Sequence, residues 1–197
     1  MAGLDSGYPG AKTAALAALF ELHNIPYAVG GAIALFYWGE PRGTVDIDIN
    51  IFLPQKEADR VLDVLPELGI RGSLETERAA VFSAGQTRID LDGTVVDLFF
   101  STVDFHDSSA KRVRRVPFGT GEINVLSAED IVVYKAMFNR RKDWADIEQV
   151  LYMQAERFDF GYVRDWITRM AGGDDARVVE FDTLAREAAG WTGEAAK

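Results

Sequence analysis

The period of the hydrophobic positions changes several times along this chain, and each change predicts an element. Residues 11–23 place Leu16, Leu19, Phe20 and Leu22 among alanines at helical spacing, a pattern that stops at Asn24 before Pro26. Tyr27 to Val29 reads as a short strand running straight into Gly30-Gly31. The apolar segment 32–38 then predicts a buried helix whose N-terminus the glycines form, broken by Gly39, Pro41 and Gly43. From Val45 to Phe52 apolar and polar positions alternate, with β-branched residues on one face and Asp46 and Asp48 on the other, so this is a strand with an acidic end. Residues 56–68, with Val61, Leu62, Val64 and Leu65, suit an amphipathic helix ended by Gly69. Short strands follow at 79–83, 88–91, 94–100 and 123–126. Asp92-Gly93 is the type I′ turn joining the second and third, and Asp90 and Asp92 are assigned to that turn.

At Ser127 the period becomes helical and stays so. Ser127-Ala128-Glu129-Asp130 resembles a capping box, with a helix expected through about Asn139 and others at 145–156, 162–170 and 176–188. The pattern therefore predicts an α+β chain, with strands and helices over 1–126 and an all-helical part over 127–197. The first dozen residues and 193–197 are expected to be loose.

Composition narrows the chemistry. Cysteine is absent and only His23 and His106 are present, neither with an evident role, so thiolate nucleophiles and Cys/His zinc sites drop out and any metal must be a hard cation on carboxylates. No apolar run approaches the roughly eighteen residues of a membrane span and no secretory signal opens the chain, which predicts a cytoplasmic protein without membrane contact. The formal charge of −10 argues against a protein that coats nucleic acid. Two basic clusters stand out against it, Lys111, Arg112, Arg114 and Arg115, then Arg140, Arg141 and Lys142.

Asp46 and Asp48, alternate residues of one strand, put two carboxylates on one face, where like-charge repulsion is relieved most readily by a divalent cation. Asp97, the lone charge in Val95-Val96-Asp97-Leu98-Phe99-Phe100, is the best third ligand, because a charge in that setting is costly unless paired or coordinated. The Gly30-Gly31 turn lets backbone amides and a helix N-terminus approach phosphate.

Gly30-Gly31, a helix, and then Arg42-Gly-Thr44-Val-Asp46-Ile-Asp48 together resemble the signature of the polymerase-β-like nucleotidyltransferases. With Lys135-Ala-Met-Phe-Asn-Arg140-Arg141-Lys142-Asp143-Trp-Ala-Asp146, the chain looks closer still to the AbiE-type and mycobacterial MenT nucleotidyltransferase toxins. The resemblance implies the nucleotidyltransferase fold, a small mixed β-sheet flanked by helices with a C-terminal helical part. It implies one or two magnesium ions on Asp46, Asp48 and Asp97, with Lys135 and Asp146 also catalytic. Gly30, Gly31, Arg42, Thr44, Arg140 and Asp143 would bind the nucleoside triphosphate. Residues 135, 139, 142, 143 and 146 share a face if one helix runs unbroken, and a break near Asn139 would instead bring them together from two helices.

The resemblance further implies a toxin of a toxin-antitoxin system, paired with a cognate antitoxin, that adds nucleotides to the tRNA 3′ acceptor end and halts translation. A protein or small-molecule acceptor such as an antibiotic uses the same core. A non-catalytic antitoxin or regulatory relative would lack a carboxylate, and none is missing. Glycosyltransferase and phosphatase chemistries with Asp-x-Asp do not call for Gly-Gly ahead of the aspartates.

Overall fold

The computed structural model describes residues 9–70, 74–191 and 193, so the loose ends expected at 1–8 and 194–197 lie outside the described residues. Residues 9–12, also expected to be loose, are instead the first turn of helix α1 (Pro9–Leu22). The chain divides into two compact units, one of residues 1–33 and 43–126, the other of 34–42 and 127–197.

The first unit is built on a mixed sheet of six strands in the order β3-β4-β2-β1-β6-β5. These are β1 (Tyr27–Val29), β2 (Ile47–Pro54), β3 (Gln86–Leu91), β4 (Thr94–Ser101), β5 (Arg114–Phe118) and β6 (Gly121–Val125). β2 runs parallel to β4 and antiparallel to β1, while β1 runs parallel to β6. Alternation decides which face is covered: Ile47, Ile49 and Ile51 of β2 and Val96, Leu98 and Phe100 of β4 are buried, whereas Asp48, Val95, Asp97 and Phe99 on the opposite face are half-buried. Leu16 and Phe20 of α1 and Phe105 of α5 (Asp104–Ala110) are also buried. Lys12 of α1 is almost wholly buried and donates to the Asp92 carbonyl (2.5 Å) and the Thr94 hydroxyl (2.9 Å), tying α1 to the tip of the β3–β4 hairpin. That tip turns through Asp92 (φ 49°) and Gly93 (φ 77°), and Gly93 N–H donates to Asp90 Oδ1, as the Asp-Gly signal required.

Several elements differ from the sequence expectation. Residues 79–83 are not a strand but part of helix α4 (Glu75–Ala84), because Glu75, Glu77, Arg78 and three alanines favour helix over the short Val81-Phe82 pair, and Gly85 (φ 71°) closes its end. The helix expected over 56–68 is broken into a 3-10 turn (Gln55–Glu57), the one-turn helix α3 (Asp59–Leu62) and a second 3-10 turn (Leu65–Leu68). Pro66 removes an N–H and crowds the carbonyl of Leu62, which prevents a continuous helix. α5 and β5 were not anticipated. Helix α2 (Gly31–Trp38) forms behind the glycines, but it is not buried throughout, since Phe36 is 62% exposed.

In the second unit α6 (Ala128–Phe138), α7 (Arg141–Gln154), α8 (Phe160–Ala171) and α9 (Ala176–Ala189) pack around Val132, Val133, Ile147, Val150, Leu151, Val163, Ile167 and Phe181. Ser127 caps α6 by accepting from Asp130 N–H, and its hydroxyl donates to the buried Asp130 carboxylate at 2.8 Å. Asn139, in the left-handed region at φ 54°, ends α6, so Lys135 and Asp143 lie on two helices, the second of the two arrangements left open above.

Candidate active site

The strand registers line up a row of polar positions across the open face of the sheet. Asp48 on β2 is opposite Asp97 on β4, and Asp97 is opposite Arg88 on β3. Neighbouring strands lie about 4.8 Å apart, so Asp48 and Asp97 are adjacent on one face. On the other side of Asp48, Gly30 N–H donates to its carbonyl at 2.8 Å. Asp46 lies two residues before Asp48, just ahead of β2, where its N–H donates to the Thr44 hydroxyl and its carbonyl accepts from it. Thr44 thus serves as a local turn that fixes the entry to the acidic strand.

Asp97 does not stand alone on this face. Arg88 grips it with both arms, Nε to Oδ1 at 2.8 Å and Nη2 to Oδ2 at 2.9 Å. The Asp97 hydrogen bonds raise the Arg88 pKa above its usual value, and the charges of Asp46 and Asp48 push in the same direction. Among the described residues no set of three or more His, Asp or Glu side chains is arranged to hold a metal ion. The donor chemistry nevertheless suits a hard cation, with Asp48 and Asp97 paired in register, Asp46 just ahead of the strand and the Arg88 guanidinium held by Asp97.

Both glycines of the turn are required by contact. Gly31 sits at φ +52°, and a Cβ there would lie 1.8 Å from Asp48 Oδ2. A Cβ at Gly30 would meet Asn50 Nδ2 at 2.9 Å and Leu126 Cδ1 at 3.2 Å. The turn therefore lies directly against the Asp48 carboxylate, and any side chain would force the two apart.

The remaining candidate residues form an ionic cluster within the helical unit. Arg42 holds Asp146 bidentately at 3.1 Å, and Lys135 donates to the same carboxylate at 2.6 Å. Asp143, fully buried, takes the Arg140 guanidinium at 2.6 and 3.0 Å and the Arg140 N–H at 3.2 Å, and Lys135 Nζ is 3.6 Å away. Burial pushes the Asp143 carboxyl up, but Arg140 and Lys135 more than offset it, so it titrates below the ordinary carboxylate range. The chain thus gathers its candidates as Gly30, Gly31, Thr44, Asp46, Asp48 and Asp97 in one unit and Arg42, Lys135, Arg140, Asp143 and Asp146 in the other.

Arg88 was missed in the sequence, although the signal was present. Once Asp92-Gly93 is taken as a two-residue turn, counting outward pairs Leu91 with Thr94 and Arg88 with Asp97.

A mixed sheet with a Gly-Gly turn against Asp48, in a chain that also carries a helical C-terminal part, is the architecture of a nucleotidyltransferase, and the sequence agrees. Residues 11–170 match the family model NTP_transf_5, described as uncharacterised nucleotidyltransferase, and the chain belongs to that family. Among solved structures, the fold is similar to the solution structure of the antibiotic-resistance factor ANT(2'')-Ia, at 11% identity and TM-score 0.54, over 80% of this chain and 88% of that one. The crystal structure of ANT(2'')-Ia with adenylyl-2''-tobramycin matches at 12% identity and TM-score 0.50, over 92% and 99%. At such identities the likeness is one of fold. Among curated proteins no sequence matches. Among the described residues no helix is long and apolar enough to cross a membrane.

Proposed function

We propose that the chain is a magnesium-dependent nucleotidyltransferase that moves a nucleoside monophosphate from a triphosphate to the 3′ hydroxyl of a tRNA acceptor end, as the toxin of a toxin-antitoxin pair. The observation that carries the transfer reaction is the contact of the Gly30-Gly31 turn with the Asp48 carboxylate, which brings a phosphate-binding backbone against a metal-binding side chain. Asp46 and Asp48 hold the cation. When bound, magnesium stabilises the charge that develops as pyrophosphate leaves. The amides at the start of α2 take phosphate oxygens and orient the triphosphate for in-line attack. Asp97, once free of Arg88, completes the ligand set or accepts the proton of the attacking hydroxyl. Lys135, Arg140, Arg42, Asp143 and Asp146 are assigned to the nucleotide on the sequence resemblance, and loss of triphosphate affinity in Lys135→Met tests that assignment.

The tRNA acceptor rests on the Lys135 to Asp146 resemblance and on the exposed Arg141 and Lys142, which suit a phosphate backbone. A second reading has support of its own. The fold likeness to an enzyme captured with adenylyl-2''-tobramycin, together with a net charge of −10, favours a polycationic small-molecule acceptor. Incubation with magnesium, each labelled triphosphate in turn, and either total RNA or an aminoglycoside separates the two. Label in RNA of tRNA size is expected, and label only in the aminoglycoside moves the assignment to the second reading. Asp46→Asn should abolish either transfer, and a fully active Asp46→Asn protein would sink the proposed site.

A further inference from the structure

Asp48 and Asp97 share one face of the sheet with Asp46 just ahead of it, yet no three acidic groups among the described residues are arranged around a common point. Asp97 stands between two neighbours in the strand register, Asp48 on one side and Arg88 on the other, and both of its oxygens are turned to Arg88. Arg88 lies on the edge strand β3 with its side chain 67% exposed, and Asp97 is its only ion-pair partner among the described residues. Its placement is thus set by the carboxylates and not by packing.

We infer that Arg88 is a positioning residue, a resident counter-cation that holds Asp97 away from the Asp46/Asp48 pair, so that entry of a divalent cation and release of Asp97 by Arg88 are one coupled step. This rests on the reading that Asp46 and Asp48 bind the metal. Without a metal, the three carboxylates repel one another, and a guanidinium in bidentate grip relieves part of that repulsion while fixing the Asp97 rotamer. A cation at Asp46 and Asp48 draws Asp97 more strongly than an exposed arginine does, because the pair with Arg88 is solvated and weak. Asp97 is already in register with Asp48, so a side-chain rotation exchanges its partners with no change of strand pairing. Arg88 therefore lowers cation affinity, and it does so through Asp97.

Manganese(II) serves as the probe, its free concentration read by electron paramagnetic resonance during titration of the full chain without nucleotide. Arg88→Ala and Arg88→Gln should each tighten manganese binding by about threefold or more, the scale on which one solvated ion pair acts. Asp97→Asn should weaken binding, and in its background Arg88→Ala should produce no tightening. Unchanged or weaker binding in both Arg88 variants overturns the inference. Tightening of equal size in the Asp97→Asn background overturns it as well, because Arg88 then acts through its field alone. Asp46→Asn distinguishes the two levels: if it leaves manganese affinity intact, the metal-site reading itself has failed, whereas loss of binding there with silent Arg88 variants removes only the inference. Melting curves of each variant without metal verify that the fold is retained.

Discussion

Gly31→Ala separates two effects that usually travel together. At φ +52° an alanine is in the left-handed region, which costs about 1–2 kcal/mol for a residue with a Cβ. The new methyl would also lie 1.8 Å from Asp48 Oδ2 and 2.6 Å from its Cγ, whereas ordinary carbon contacts begin at roughly 3.5 Å, so turn and carboxylate must part by about 1–2 Å. Misplacement of reacting groups by about 1 Å costs on the order of 100-fold in rate, and the expected loss of nucleotidyl transfer is at least that. Gly93→Ala is the control, because it has the same kind of backbone (φ +77°) with nothing within 4 Å of the added Cβ. It should lose only that backbone cost, about 1–2 kcal/mol of stability, and retain its transfer rate. Guanidinium denaturation and initial rates of labelled transfer, run on both variants, carry the comparison. If Gly31→Ala keeps a rate within a few-fold of Gly93→Ala, the contact with Asp48 does not position the reaction and the reasoning fails.

Two further expectations come from the helical cluster and from acid. Asp143→Ala removes a fully buried carboxylate that holds both the Arg140 guanidinium and the Arg140 N–H, and should destabilise the chain by about 2–4 kcal/mol, read as a drop in Tm. An unchanged Tm would mean that the cluster contributes no stability. Asp143 and Asp175 both titrate below their usual values, Asp175 at about 2 because Arg177 hydrogen-bonds it. Below the unfolded carboxyl pKa of about 3.9 the unfolded chain then binds more protons than the folded one. Their stabilisation is therefore complete above that pH and is lost as pH falls through the folded values, toward about pH 2 for Asp175. Denaturation midpoints measured from pH 5 to pH 2 should fall, and should fall less steeply in Asp175→Asn.

The acidic strand and its neighbours were legible because their signals are local. Strict alternation marked β2, an Asp-Gly pair marked the hairpin, and Ser127 with Asp130 marked the start of α6. The end of α6 near Asn139 was legible in the hydrophobic period, but whether Lys135 and Asp143 share one helix was not, because α7 begins only two residues later at Arg141. What failed was the weighing of competing local preferences: Val81 and Phe82 drew a strand reading inside a helix, and the breaking effect of Pro66 was passed over. The Arg88–Asp97 pair needed one further step, counting register outward from a turn that had already been identified.

The place of β1 in the sheet bears on how the protein is made. This strand of three residues lies between β2 and β6, and Leu126 N–H donates to the Val29 carbonyl just ahead of the glycine turn. A chain emerging from the ribosome therefore has its glycine turn early, but the strand that braces it arrives almost a hundred residues later. Until β6 emerges, Tyr27 to Val29 form an open sheet edge, liable to pair with another chain. Synthesis past Leu126 thus sets when this edge is closed and the nascent sheet becomes safe from misassociation.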